Sequence, residues 1–205
     1  PEGGLMFTSE NHPPHIYTDH ACYFVTASTL HRQWLFNTDS KRALLRNVLE
    51  EAVEDYGITL HTWVILANHY HLLLDVSDKP IYKFIKRLHG ESAIQLNKLD
   101  GRPGRQVWYQ YWDRFPRGEH DFWGYFNYTH LNPIKHRYVT PADVRLQVAD
   151  GKVLLLPGQL SGIHLALAHY PFSSYHEYSG RYGVEFHDDA WMRYPIPDYL
   201  EHDDF

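Results

Sequence analysis

The chain has 205 residues, of which 43% are hydrophobic, 16% aromatic and 21% charged, with a net charge of −6. That length suits one domain with an appendage and is enough to bury a core, while the aromatic content excludes a disordered chain. The one cysteine, Cys22, excludes an intrachain disulfide framework; no apolar run is long enough for a membrane span and no signal peptide is legible, so a soluble cytoplasmic protein is expected.

Residues 1–19 are polar and rich in Pro and His and read as a loosely held arm. Cys22 to Ala27 is rich in β-formers and predicts a strand. Thr38 or Asp39 caps a helix whose apolar positions Leu45, Val48, Leu49, Ala52, Val53 and Tyr56 follow the helical period, ending at Gly57. Ile58 to Leu66 and His69 to Val76 predict two strands joined by a tight turn at Ala67-Asn68. Lys79-Pro80 opens a second helix, with Ile81, Ile85, Leu88 and Leu96 inward and Lys83, Lys86 and Arg87 outward. Gln106 to Trp112 reads as a strand. A third helix is expected from about Glu119 to Leu131, faltering before Pro133 because the residue before proline disfavours α geometry. Lys152 to Leu156 is a short β-like stretch, and the aromatic, acidic end reads as irregular. The order βαββαβα predicts an α+β fold: a ferredoxin-like split βαβ antiparallel sheet with helices packed on it, plus an irregular C-terminal extension. The expected division is an arm (1–19), a catalytic domain (20–139) and an extension with an acidic tail (140–205).

Charge is unevenly placed. From Glu185 to Phe205 seven acids face one base, Arg193, so the rest of the chain is neutral overall. Between Lys79 and Arg117 nine bases outnumber three acids. A phosphate backbone responds to such a local field rather than to the whole-chain charge. A solvated helix face and loop would give the same excess, so charge permits nucleic acid without requiring it.

The sharpest motif is Trp63-Val64-Ile65-Leu66-Ala67-Asn68-His69-Tyr70-His71-Leu72-Leu73-Leu74. Alternation along a strand puts His69 and His71 on one face, where two imidazoles can meet one metal ion. With 16 histidines in the chain, a chance His-x-His is easy, and the pair alone also fits two ordinary strand residues. Downstream, Tyr125-Phe126-Asn127-Tyr128-Thr129-His130-Leu131-Asn132-Pro133-Ile134-Lys135-His136 sets Tyr128 and Asn132 on one helix face. Each has an everyday structural reading as a core aromatic or a helix-end residue. His120, His130 and His136 read as bystanders.

Together, Trp-Val-Ile-Leu-x-Asn-His-x-His-Leu-Leu, a basic helix, Tyr-x-x-Leu-Asn-Pro-Ile-Lys and Tyr170-Pro171-Phe172-Ser173-Ser174-Tyr175 resemble the HUH-type single-strand DNA transposases, specifically their REP-associated tyrosine branch. The resemblance spans roughly residues 20–178. It implies a metal-dependent endonuclease and strand transferase that cleaves single-stranded DNA at repetitive palindromic hairpins through a covalent 5′-phosphotyrosine. By that resemblance Tyr128 is the catalytic nucleophile, and His69, His71 and Asn132 are the metal ligands, for Mg²⁺ or Mn²⁺. Departures are Tyr70 in place of a smaller middle residue, a longer stretch over 140–169, and the acidic tail.

A neutral ligand set leaves a divalent cation its full charge for a phosphate, and three protein ligands leave positions open. Single strands are gripped by stacking aromatics in a basic groove. Lys83, Lys86, Arg87, Arg102, Arg105, Trp108, Arg114 and Arg117 are the expected DNA contacts. The expected assembly is a monomer or homodimer, associated with the nucleoid and not with membrane. Rival readings are another HUH nicking enzyme (a replication initiator or relaxase), a domesticated hairpin binder that does not cut, and a ferredoxin-like metal-binding module.

Overall fold

The structure is a computed structural model that describes residues 21–77, 79–141, 148–149, 152–153 and 160–196. The elements run β1 (Ala21–Thr29), α1 (Asp39–Tyr56), β2 (Thr59–Ile65), β3 (His69–Val76), α2 (Ile81–Leu99), β4 (Trp108–Arg114) and α3 (Glu119–Lys135), in the expected βαββαβα order. The four strands form one antiparallel sheet in the order β2-β3-β1-β4. α1 starts at Thr38, whose side chain accepts the Lys41 N–H, and stops at Gly57, where the left-handed turn (φ 62°) suits a residue without Cβ.

Register divides the sheet into two faces. Phe24, Thr26 and Ser28 of β1 pair with Leu73, His71 and His69 of β3, and directly opposed residues share a face. The alternate residues Tyr23, Val25, Ala27, Tyr70, Leu72 and Leu74 point the other way and build the main core with Leu45, Val48 and Leu49 of α1 and Phe84, Ile85 and Leu88 of α2. Each such side chain contributes roughly 1.5–3 kcal/mol by leaving water. The histidine face instead lies under α3, where Phe24 and Leu73 pack against Tyr125, Phe126 and Tyr128.

Two expectations are corrected. α3 does not falter before Pro133 but runs to Lys135 with the proline inside it. The proline lacks an N–H for the carbonyl one turn back, a cost of roughly 3 kcal/mol. Burial of the flanking Leu131 and Ile134 against Ile163, Leu167 and Trp191 offsets it. The C-terminal extension is not irregular throughout: α4 (Leu160–Leu167), α5 (Tyr175–Tyr182) and α6 (Glu185–Arg193) pack beside α3. Helices of eight or nine residues are marginal alone. Here Asn127 of α3 donates to the carbonyls of Ala190 and Tyr194, at 2.9 and 2.7 Å, and the Trp63 N–H donates to Ser174 Oγ at 3.0 Å.

β4 is displaced two residues from the expected span because its pairing with β1 extends to Phe24↔Arg114. The short β-like stretch appears as β6 (Lys152–Val153), paired with β5 (Val148–Ala149). The N-terminal arm, Leu154–Leu156 and the acidic tail after Ile196 lie outside the described residues. Among those described, no helix is long and apolar enough to cross a membrane.

Candidate active site

β3 opens on the histidine pair. The rings of His69 and His71 are 5.1 Å apart, and both residues are buried. His69 Nδ1–H donates to Asn68 Oδ1 at 2.7 Å, which fixes the tautomer with its lone pair on Nε2. His71 Nδ1 is hydrogen-bonded to Thr26 Oγ1 at 2.8 Å, its partner across the strand pair, and the ring stacks on Phe24 at 5.6 Å. Burial lowers the His69 pKa to about 3, and the neighbouring His136, Lys135 and Arg32 push in the same direction. Burial holds His71 well below its ordinary value too, with His69 and His136 adding to the effect. Both rings are neutral at pH 7.

α3 brings the other expected residues to this face. The Tyr128 ring meets His71 edge-on at 5.1 Å and Phe24 at 6.0 Å. Lys135, two turns on, donates to the Tyr128 hydroxyl at 3.1 Å and holds its ammonium 4.8 Å from the ring centroid. Asn132, one turn after Tyr128, is wholly buried and lies against His69, whose basicity it raises through a side-chain contact too poorly aligned to satisfy either its Oδ1 or its Nδ2 as a hydrogen bond. Leaving an amide so costs about 1–3 kcal/mol. Two neutral imidazoles and an amide oxygen with no hydrogen bond are donors a divalent cation accepts, so these residues fit a metal ion.

The structure therefore brings Tyr128, His69, His71 and Asn132 together. Sequence reasoning did not single out Thr26, Asn68 and Lys135; His136, read there as a bystander, has its ring 4.7 Å from His69. Asn68 and Lys135 had readable signals, adjacency to the histidine pair and a two-turn spacing from Tyr128. Thr26 depends on strand register alone. Beside the site, His31 and Arg32 both adopt φ 54°, a left-handed strain for non-glycine residues, and the Arg32 carbonyl accepts from Asn68 Nδ2 at 3.4 Å. Two residues on, Trp34 is 65% exposed and stacks on Tyr138, whose hydroxyl accepts the Ala67 N–H.

The expected DNA contacts do not form one surface. Lys83, Lys86 and Arg87 lie on α2, across the sheet from the histidine pair, and Arg87 is bound to Asp55 at 2.7 Å and Glu91 at 3.6 Å. Arg105 is tied to Asp100 at 2.7 Å and to Asn97, while Arg102 is exposed in the same loop. Trp108 is a correction: it sits in the main core, 6% exposed, stacked on His89 and donating to Ser92 Oγ at 2.9 Å. Its neighbours Tyr70 and Phe36 fill the space a base would need. Arg114 pairs with Phe24 and so shares the histidine face, and Arg117 is exposed in the loop that follows.

Three comparisons bear on the chain. No curated protein matches it. Its structure is similar to that of a REP-associated tyrosine transposase bound to a REP hairpin, with a TM-score of 0.60 and 18% identity, covering 85% of this chain and 87% of the other. A protein of Deinococcus radiodurans R1 is similar over 56% of this chain and 88% of its own, at 20% identity and a TM-score of 0.42, too low to carry an argument. The family model for IS200-like transposases matches residues 17–123, ending ahead of Tyr128. That match takes in more than half of the chain, including the histidine motif and the whole four-stranded sheet, and the chain belongs to the IS200-like transposase family.

Proposed function

We propose that this transposase is an HUH-type, tyrosine-nucleophile, single-strand DNA endonuclease and strand transferase of the REP-associated branch, acting at hairpins. The observation that carries the reading is the convergence of Tyr128, His69, His71 and Asn132 on one sheet face, with Lys135 on the tyrosine hydroxyl. Likeness in fold to a transposase solved with a REP hairpin supports the hairpin as substrate.

In this reading Tyr128 Oη attacks the scissile phosphorus. A P–O bond to tyrosine forms as the P–O3′ bond breaks, and the phenolic proton ends on the departing 3′-oxygen. One phosphodiester replaces another, so no nucleotide cofactor is consumed, and a DNA 3′-hydroxyl can reverse the step for strand transfer. Lys135 orients the hydroxyl and counters the developing phenolate. His69, His71 and Asn132 would hold the cation, Mg²⁺ or Mn²⁺, while Asn68 and Thr26 fix the two imidazoles. When bound, the cation supplies Lewis-acid neutralisation of the phosphate. Trp34, rather than Trp108, offers the exposed ring for base stacking, and Arg114 supplies charge on the histidine face, with Arg117 exposed in the loop beyond it.

One observation favours the second reading, a hairpin binder that does not cut: Tyr128 is only 2% exposed. Cleavage requires the side chains above it to move aside. The deciding experiment mixes the protein with end-labelled single-stranded hairpin DNA from its host locus, with Mn²⁺ or EDTA, on a denaturing gel. A protein-linked 3′ fragment, lost in Tyr128→Phe, His69→Ala and EDTA, is expected. Tight hairpin binding with no adduct in any lane would leave the non-cutting binder.

A further inference from the structure

At the other end of the same sheet, four residues along β3 from His71 and so about 13 Å away, lies a second group of metal-ligating side chains. Cys22 at the start of β1 pairs directly with Asp75 near the end of β3, so both side chains stand on the α3 face. His61 joins them from β2, whose register with β3 slips between Leu60 and Thr62. Such a bulge re-aims a side chain that regular pairing would carry elsewhere. One ligand atom from each of the three lies within 4.8 Å of the other two. His61 Nε2 is 2.9 Å from Asp75 Oδ2, and the Cys22 thiol donates to the same carboxylate. His61 is braced by the edge of Phe122 at 5.2 Å and by its carbonyl, which accepts the Tyr178 hydroxyl at 2.6 Å.

We infer that Cys22, His61 and Asp75 form a thiolate-containing site for zinc or a similar borderline-soft divalent cation, separate from the tyrosine site. Sulfur, imidazole nitrogen and carboxylate oxygen are the three donor types zinc takes, at about 2.0–2.3 Å, which sets tetrahedral ligand–ligand edges near ~3.5 Å. From separations within 4.8 Å the widest donor pair needs to close by up to about 1.3 Å, and the His61–Asp75 pair at 2.9 Å needs to open slightly, on strand ends already hydrogen-bonded to one another. Thiolate and imidazole disfavour Mg²⁺ and Ca²⁺, which seek oxygen. Thiolate and carboxylate together balance the charge of the ion. On binding, the thiol S–H is exchanged for an S–metal bond and the proton passes to solvent. A cavity of about 360 Å³ borders two of the three donors, Cys22 and Asp75, together with Gly57 and Thr59, while His61 stands outside its lining. A cation here ties β1, β2 and β3 together at the end of the sheet where β1 begins.

The test uses Co²⁺ as a spectroscopic stand-in for zinc, titrated into the metal-free full chain. Because Cys22 is its one cysteine, a thiolate-to-cobalt charge-transfer band in the near ultraviolet can arise from no other residue. The expected result is a band that saturates within two equivalents in the wild type, whose tyrosine site also takes the cation, and at one equivalent in His69→Ala; it is displaced by zinc and disappears in Cys22→Ser. His61→Ala and Asp75→Asn, each checked for folding by circular dichroism, should weaken the band's affinity at least tenfold. Cobalt binding with visible absorption but no charge-transfer band would overturn the inference, leaving a His–Asp contact capped by a thiol, and would not touch the tyrosine reading. A band indifferent to both His61→Ala and Asp75→Asn would overturn it as well.

Discussion

Asn132→Leu separates a ligand from a structural residue. The wild-type amide is wholly buried and neither of its polar atoms completes a hydrogen bond. Without metal that amide costs about 1–3 kcal/mol of stability. Leucine keeps the branching and the heavy-atom count but adds some volume, a packing cost of about 1 kcal/mol or more. In EDTA the two terms largely cancel, so the variant should lie within about 2 kcal/mol of wild type. Saturating Mn²⁺ separates the two proteins. A ligand at a hundred times its dissociation constant stabilises the native state by about 2.7 kcal/mol, which is roughly 5–10 °C in Tm for a chain of this size. The variant, lacking its oxygen donor, should gain much less. Thermal unfolding followed by circular dichroism, with a Mn²⁺ titration of both proteins, measures the separation. A variant more than about 2 kcal/mol less stable than wild type in EDTA would mean the amide is satisfied without metal. Equal stabilisation of both proteins by Mn²⁺ would remove Asn132 from the ligand set.

The two tryptophans divide the stacking and packing roles. Trp34→Ala should weaken single-strand binding by about 5- to 150-fold, the worth of one base–aromatic stack, at little cost in Tm. Trp108→Ala should cost about 3–5 kcal/mol of stability as a core truncation; equal affinity losses for both would contradict the assignment. For the basic residues, Arg114→Gln should reduce the salt slope of hairpin binding by about one, and Lys86→Gln, across the sheet, should leave it unchanged in a filter-binding series. Burial, with His164 adding repulsion, lowers the His187 pKa from 6.5 to about 4. The unfolded chain then binds more protons between those values, so this contribution to stability is complete above pH 6.5 and lost as pH falls towards 4. His187→Phe, which keeps the ring against Tyr175, should flatten the acid limb of a urea-unfolding pH series by up to about 3 kcal/mol; an unaltered limb would show that His187 is not what titrates.

The order and type of the first seven elements are legible in the sequence because each carries a local signal strong enough to survive context. Thr38 and Gly57 bracket α1, the Ala67-Asn68 turn joins two β-rich runs, and Lys79-Pro80 opens α2. The two residue pairs of the candidate site are legible for a related reason, although their roles came only from the resemblance to a known family. Strand alternation sets His69 beside His71, and helical period sets Tyr128 beside Asn132, so each pair needs only local geometry. Local rules failed where long-range packing outweighed them. Pro133 should have ended α3, but burial of Leu131 and Ile134 against the C-terminal helices carries the helix through it, and only then can Lys135 reach the Tyr128 hydroxyl. Trp108 is as exposed as Tyr109 on any sequence reading, and only sheet register and α2 packing bury one and expose the other. Lys83, Lys86 and Arg87 share a helix face but, with α2 across the sheet, not the face of the histidines. Joining the two halves of the site, and bringing Cys22, His61 and Asp75 within reach of one another, depends on strand register and a bulge. Those are relations between distant segments, fixed by which faces the whole chain can bury together, and no local window of sequence contains them.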